Sequence, residues 1–163
     1  MQSPDFQMRK AGCAILGIIA EGCCDSIRQM LPTIMPHLLT SAGDTEQSVK
    51  ETAYFALGQF SEHCQPEILH YHQSVLPVLY TALEDPRHTV QTTCCYVIEM
   101  FCENLQRETL RPFLQPLLQR LASLLQSPKQ VLQVMALSAI ASAALSAELD
   151  FLPYVEVSNR LRY

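Results

Sequence analysis

The sequence repeats itself at intervals of about 41 residues. "SPDFQMRKAGCAILGIIAEGC" starts at Ser3, "DTEQSVKETAYFALGQFSEHC" at Asp44, "DPRHTVQTTCCYVIEMFCENL" at Asp85 and "SPKQVLQVMALSAIASAAL" at Ser127, so the starts lie 41, 41 and 42 residues apart. This period narrows the possible folds more than any other feature. A unit of that size is one supersecondary element. It cannot bury its apolar side alone, so successive units must stack into a shared core.

Within each unit the pattern is helical. Met8, Val49, Val90 and Leu132 share one register, and Leu16, Leu57, Ile98 and Ile140 share another. The small residues Gly12, Ala53, Cys94 and Ala136 fall between them. Large residues eight apart with a small one between form a single apolar stripe on a helix. Ser3, Asp44, Asp85 and Ser127 are N-cap types, and Pro4, Pro86 and Pro128 suit the first helical position. A second helix follows each of these: Ile27, Ile68, Leu110 and Phe151 align, as do Met30, Tyr71, Phe113 and Tyr154. Pro36 and Pro77 are in register and Pro116 falls nearby, which predicts bends in these following helices. No segment alternates at period two, so no sheet is expected.

The expected fold is therefore all-α, an α-α superhelix of HEAT type. It comprises about four helix-pair units beginning near residues 3, 44, 85 and 127, incomplete at both ends. The chain opens on the second helix of a pair. Residues 1–163 read as a single solenoid segment, with a tail at 156–163 that leaves the pattern.

Composition then excludes several functions. The chain is 48% hydrophobic and 17% charged, too apolar for disorder. Its net charge of −5 is concentrated: residues 21–108 carry twelve acidic and four basic side chains, a balance of −8. That argues against direct nucleic-acid binding, which needs clustered Lys and Arg, and suits a basic protein partner. No apolar run reaches transmembrane length without polar interruption, and the first residues lack the order of a signal peptide, so no membrane insertion is expected. Seven cysteines lie mostly in apolar helical patterns and read as reduced core fillers of a cytosolic or nuclear protein. The adjacent pairs in "GCCD" and "TCCY" do not match zinc-ligand spacing, and His70 and His72 fall on different helix faces. No Gly-rich phosphate loop, nucleophile elbow or catalytic acid pair is present. No enzyme activity, metal or cofactor is expected.

One charged pattern stands out. Glu21, Glu62 and Glu103 lie 41 and 41 residues apart, at one register near the ends of three successive helices. Stacking sets them in a row, and helical angle places Glu51 and Glu99 near the same face as Glu62. Negative charge near a helix C-terminus is unfavourable by a few tenths of a kcal/mol, so the helix itself does not call for these residues. A cargo-facing acidic ladder on an inner surface is the functional reading; solvated glutamates on a duplicated repeat are the structural one. Beside Glu62, in "AYFALGQFSEHC", sits Gly58, with Gly17 and Glu99 in its register. It is expected to leave the inner surface open next to the acids.

"FALGQFSE" followed by "QPEI", then "VLPVLYTALEDP", resembles the importin-β (karyopherin-β) nuclear transport receptors. "QMRKAGCAILGIIAEGC" and "AIASAA" with "LPY" extend the resemblance over roughly residues 3–155. It implies a receptor that binds cargo on a concave surface, contacts Phe-Gly nucleoporins in the pore, and releases cargo to Ran-GTP. It further implies basic cargo such as histones and ribosomal proteins, shuttling between cytoplasm and nucleus, and a place away from the N-terminal Ran-binding repeats. The alternative from a different class is a HEAT scaffold that organises a protein complex, such as a phosphatase.

Overall fold

The repeat resolves into two layers of helices. The computed structural model describes residues 3–154, and its helices are α1 (Phe6–Ile19), α2 (Cys24–Ala42), α3 (Gln47–His63), α4 (His72–Leu83), α5 (His88–Cys102), α6 (Arg107–Leu124) and α7 (Gln130–Ala147). Short 3-10 turns at Glu67–Tyr71 and Glu148–Phe151 precede α4 and follow α7. Among the described residues there is no strand, as the absence of period-two alternation predicts. Helices α1, α3, α5 and α7 stack side by side in close contact, while α2, α4 and α6 touch one another more lightly. The odd-numbered helices thus form the more closely packed layer.

The core lies between the layers. Leu31, Met35 and Leu38 of α2, Leu57 and Phe60 of α3, Leu76 and Leu79 of α4, and Ile98 and Phe101 of α5 are fully buried. Five of the seven cysteines are buried with them, whereas Cys23 is exposed and Cys24 half-buried. Burial pushes the thiols of Cys95 and Cys102 up to about 12, so they serve as small apolar groups. The even helices run on through Pro32 and Pro36, Pro77, and Pro112 and Pro116. The Thr40 hydroxyl donates to the Pro36 carbonyl at 2.8 Å, and Arg120 Nη1 to that of Pro116 at 3.1 Å.

The residues opening each unit act differently from the expected N-caps. The helices start later, with Asp5, Glu46, Arg87 and Lys129 at the cap position. Ser3, Asp44, Asp85 and Ser127 instead accept the backbone N–H two residues on, at 3.2, 2.9, 3.0 and 3.2 Å, closing a turn ahead of the helix. Pro4, Pro86 and Pro128 belong to that turn rather than to the helix.

The two aspartates also bind the preceding unit. Arg9 of α1 makes a two-bond fork with Asp44 at 2.7 and 3.0 Å, and Lys50 of α3 reaches Asp85 at 3.1 Å. Asp85, 8% exposed, additionally takes the Arg87 guanidinium at 2.8 and 2.9 Å. At the next turn the pattern changes on both sides at once. Ser127 replaces the aspartate, and Gln91, at the register of Arg9 and Lys50, donates to the carbonyl of Leu83 at the end of α4. The charged ladder therefore spans the first two junctions.

Stretch Gln130–Tyr154 is long and apolar enough, by length and composition, to cross a membrane, and polar Gln133, Ser138, Ser142 and Ser146 interrupt it. Helix α7 carries no charged residue and packs one side on α5 and α6. Its buried Leu132, Ala136, Ala139 and Ala143 continue the core stripe of the earlier odd helices.

The Arg87 guanidinium, aided by the Arg87 N–H and the Lys50 ammonium, holds the Asp85 carboxyl well below the usual range against its burial. A depressed folded-state value stabilises the fold above the unfolded pKa of about 4, and the contribution disappears as pH falls through the folded one. We predict that Asp85→Asn lowers stability by about 2 kcal/mol at neutral pH, measured by urea unfolding. The gap from wild type should narrow below about pH 4.

Candidate functional site on the inner helix layer

The odd helices approach closely because small residues face rings. A Cβ on Gly17 would lie 2.6 Å from the Phe55 ring, and one on Gly58 would lie 2.5 Å from the Tyr96 ring. Phe55 and Tyr96 share a register, as do the two glycines, so one ring-on-glycine contact seats α3 on α1 and the same contact seats α5 on α3. The loss of about 1 kcal/mol in helix propensity at each glycine is offset by this packing. At the third junction the sizes are exchanged: Glu99 holds the glycine register and Ser138 the ring register. There α7 bonds α5 directly, with Ser142 Oγ donating to the Glu99 carbonyl at 3.0 Å, and bonds the turn after α5, with Ser146 Oγ donating to the Leu105 carbonyl.

Gly58 is therefore not an opening on the inner surface. It is buried, and its missing side chain is the space that Tyr96 fills. Helical angle alone does not show this, because the covering group comes from the next repeat.

The acidic residues fall into three situations. Glu21 lies in the turn after α1, Glu62 in the last turn of α3 and Glu103 just past α5, all exposed. They occupy one edge of the odd-helix layer, at intervals of roughly 10 Å set by helix packing. Glu62 accepts the Tyr96 hydroxyl at 2.5 Å, and that hydroxyl accepts Gln59 Nε2 at 2.9 Å. His63 Nε2 lies 3.9 Å from the same Glu62 carboxylate. Burial, then the Glu62 bond, pushes the Tyr96 phenol up to about 12, so it stays a protonated donor at neutral pH.

Glu99 is half-buried one turn before Glu103; burial and then the Glu103 charge raise its carboxyl. Glu62, Tyr96, Glu99 and Glu103 thus form one acidic corner around the ends of α3 and α5. Glu51 does not join them. It lies eleven residues from Glu62, about 16 Å along α3, and its carboxylate accepts Thr89 Oγ1 at 2.6 Å and Gln47 Nε2 at 2.7 Å. Angle places it on the right face, but at the other end. An open hollow of about 580 Å³ adjoins the corner, lined in part by Glu103, Arg107, Glu108, Ser146 and Glu148.

Sequence reasoning missed Tyr96, Gln59 and Gln65, whose Nε2 donates to the Ser61 and Met100 carbonyls at 2.6 and 3.2 Å. The 41-residue spacing of Phe55 and Tyr96, matched by that of Gly17 and Gly58, was a usable signal. Among the described residues no three His, Cys, Asp or Glu side chains come together as a metal site. The corner can attract cations and accept hydrogen bonds.

The family model for importin subunit beta-1-like TPR repeats matches residues 6–162. The chain belongs to the importin-β family. A probable importin subunit beta-4 from Schizosaccharomyces pombe is 30% identical over 156 residues, which covers 95% of the chain and 15% of the relative. The crystal structure of Kap121p superposes with a TM-score of 0.92 at 31% identity, over 98% of the chain and 16% of Kap121p. Kap121p has also been solved bound to Pho4p, with TM-score 0.91, 31% identity and the same two coverages. Bound to Nup53p, it superposes with a TM-score of 0.90 at 30% identity, again over 98% and 16%. The importin-β chain described here thus spans about one sixth of these relatives' length, and its helical array is that of a karyopherin solenoid.

We predict that Gly58→Ala lowers stability by about 1–3 kcal/mol, since the new methyl must displace the Tyr96 ring. Tyr96→Ser should also destabilise alone, yet cost less in the Gly58→Ala background, because the pair then resembles the third junction. Urea unfolding of the four proteins in a double-mutant cycle measures this coupling.

Proposed function

We propose that this importin-β segment holds basic protein cargo against the acidic edge of its odd-helix layer. The row of Glu21, Glu62 and Glu103, repeated at the helix-stacking interval, carries the reading. Three exposed carboxylates about 10 Å apart complement an extended chain with basic residues spaced along it. The half-buried Tyr96 beside Glu62 adds a ring for an alkyl stem or a cation. Glu99 adds charge at the α5 end, whereas Glu51 serves the α3–α5 junction.

Recognition on this reading is electrostatic attraction with local apolar contacts, and it involves no chemical step. Residues 1–163 act as one solenoid segment of a receptor that shuttles between cytoplasm and nucleus. Histones and ribosomal proteins are the cargo class, Phe-Gly nucleoporins the pore contacts, and Ran-GTP the releasing ligand. Kap121p complexes with Pho4p, Ulp1p and Nup53p support the general picture of protein partners. A Kap121p variant with three acidic residues changed to lysine, 43 and 42 positions apart, has the same one-per-repeat spacing. Membership of a transport-receptor family favours this reading over a phosphatase scaffold.

The test titrates a lysine-rich histone-tail peptide against wild type and the triple variant Glu21→Gln, Glu62→Gln, Glu103→Gln by fluorescence anisotropy. The variant should bind on the order of tenfold more weakly, with a flatter dependence on salt. Equal affinity and an equal salt slope would reject the reading.

A further inference from the structure

One register, in the turns that open the units, holds an acid twice and a serine twice: Asp44 and Asp85, Ser3 and Ser127. Asp44 accepts the Glu46 N–H at 2.9 Å and Asp85 the Arg87 N–H at 3.0 Å. The Ser127 hydroxyl accepts the Lys129 N–H at 3.2 Å. These side chains occupy one place in one kind of turn. The acids sit there with cations: Arg9 forks Asp44, and Arg87 forks Asp85 with Lys50 beside it. Lys129 stands at the Arg87 register, two residues after Ser127, and is exposed. Among the described residues its ammonium pairs with no carboxylate. The third turn thus keeps a cation and lacks the anion.

Ser127 opens the sequence Ser-Pro-Lys. The chain has two Ser-Pro steps and no Thr-Pro step, and both fall at this register, at Ser3 and Ser127. Two places after Ser3 stands Asp5, which repels a further negative group; two places after Ser127 stands Lys129. Gln126, Pro128 and Lys129 are exposed and Ser127 is half-buried. That exposure belongs to the turn rather than to its place in the stack. Thr45 and Pro86, which follow Asp44 and Asp85 at the earlier junctions, are exposed as well.

We propose that Ser127 is a phosphorylation site for a proline-directed serine/threonine kinase, and that its phosphoserine fills the place aspartate holds in the two preceding turns. Ser127 Oγ attacks the γ-phosphorus of Mg-ATP. The Oγ–P bond forms as the bond from that phosphorus to the bridging oxygen breaks, ADP leaves, and the hydroxyl proton passes to the kinase's base. The product carries about two negative charges and three acceptor oxygens. Lys129 pairs with it as Arg87 pairs with Asp85. Across the junction Gln91, at the register of Arg9 and Lys50, offers an amide donor. Asp85 opposes the new charge weakly, because Arg87 and Lys50 already neutralise it. Phosphorylation therefore extends the charged ladder to the third junction and steadies the turn that delivers α7 onto α5. It acts at the starts of the odd helices, the opposite end from Glu62 and Glu103, so the acidic edge keeps its own charge.

The test treats the chain with Mg-ATP and, in separate reactions, a mitogen-activated and a cyclin-dependent kinase, both proline-directed. Tandem mass spectrometry locates the phosphate, and circular dichroism follows thermal unfolding. At least one kinase should place a single phosphate on Ser127 and none on Ser127→Ala, and the phosphorylated chain should melt about 2–4 °C higher. Ser127→Asp, which needs no kinase, should shift the midpoint in the same direction. Lys129→Gln should cancel the gain in both forms. The proposal is overturned by no incorporation from either kinase, by a phosphate at another residue in place of Ser127, or by a midpoint that phosphorylation or Ser127→Asp leaves unchanged or lowers. A gain that survives Lys129→Gln in full overturns it too.

Discussion

The close approach of successive odd-numbered helices sets the rest of the structure. Two glycines, Gly17 and Gly58, remove a side chain where the next helix presents an aromatic ring, and the seat recurs because the sequence repeats. Drawing the odd helices together makes theirs the more closely packed layer. The outer helices are held more loosely, by polar side chains: the Tyr80 hydroxyl donates to the Phe113 carbonyl at 2.8 Å, and Arg120 reaches Glu84 at 2.8 Å while lying over the Tyr80 ring. Such an array derives its stability from nearest-neighbour contacts, so a change at one seat acts mainly on the two helices it joins.

The pattern of surface charge follows from the same stacking. A carboxylate at the end of one helix is an isolated surface charge, screened by salt and weak alone. Repeated at α1, α3 and α5, it becomes a line of charge with a fixed interval. Tyr96 links the two levels: its ring fills the space over Gly58, and its hydroxyl orients Glu62. The residue that seats α5 on α3 therefore also positions one member of the acidic row.

The two-layer helical architecture was legible from the period and from the alternation of large and small residues in each register. What angle and spacing along one helix could not give was the neighbour. Gly58 looked open by helical angle because the group covering it, Tyr96, belongs to the next unit. Glu51 looked like a companion of Glu62 because angle ignores rise along the axis. Asp44 and Asp85 looked like caps because their type suits a cap; their bonds to Arg9 and Lys50 cross between units. The differences at Gly58, Asp44 and Asp85 arise at a junction between repeats, where a residue's environment is set by a segment some 35–40 positions away.

On the proposed reading, the acidic edge of the odd-helix layer is the face that meets cargo. The most direct measurement is a nuclear magnetic resonance titration of the labelled chain with a lysine- and arginine-rich peptide, following backbone amides. Perturbations are expected to concentrate around Glu62, Tyr96, Glu99 and Glu103 and extend to Glu21, with α2, α4 and α6 unmoved. Perturbations centred on α2, α4 or α6 would contradict it.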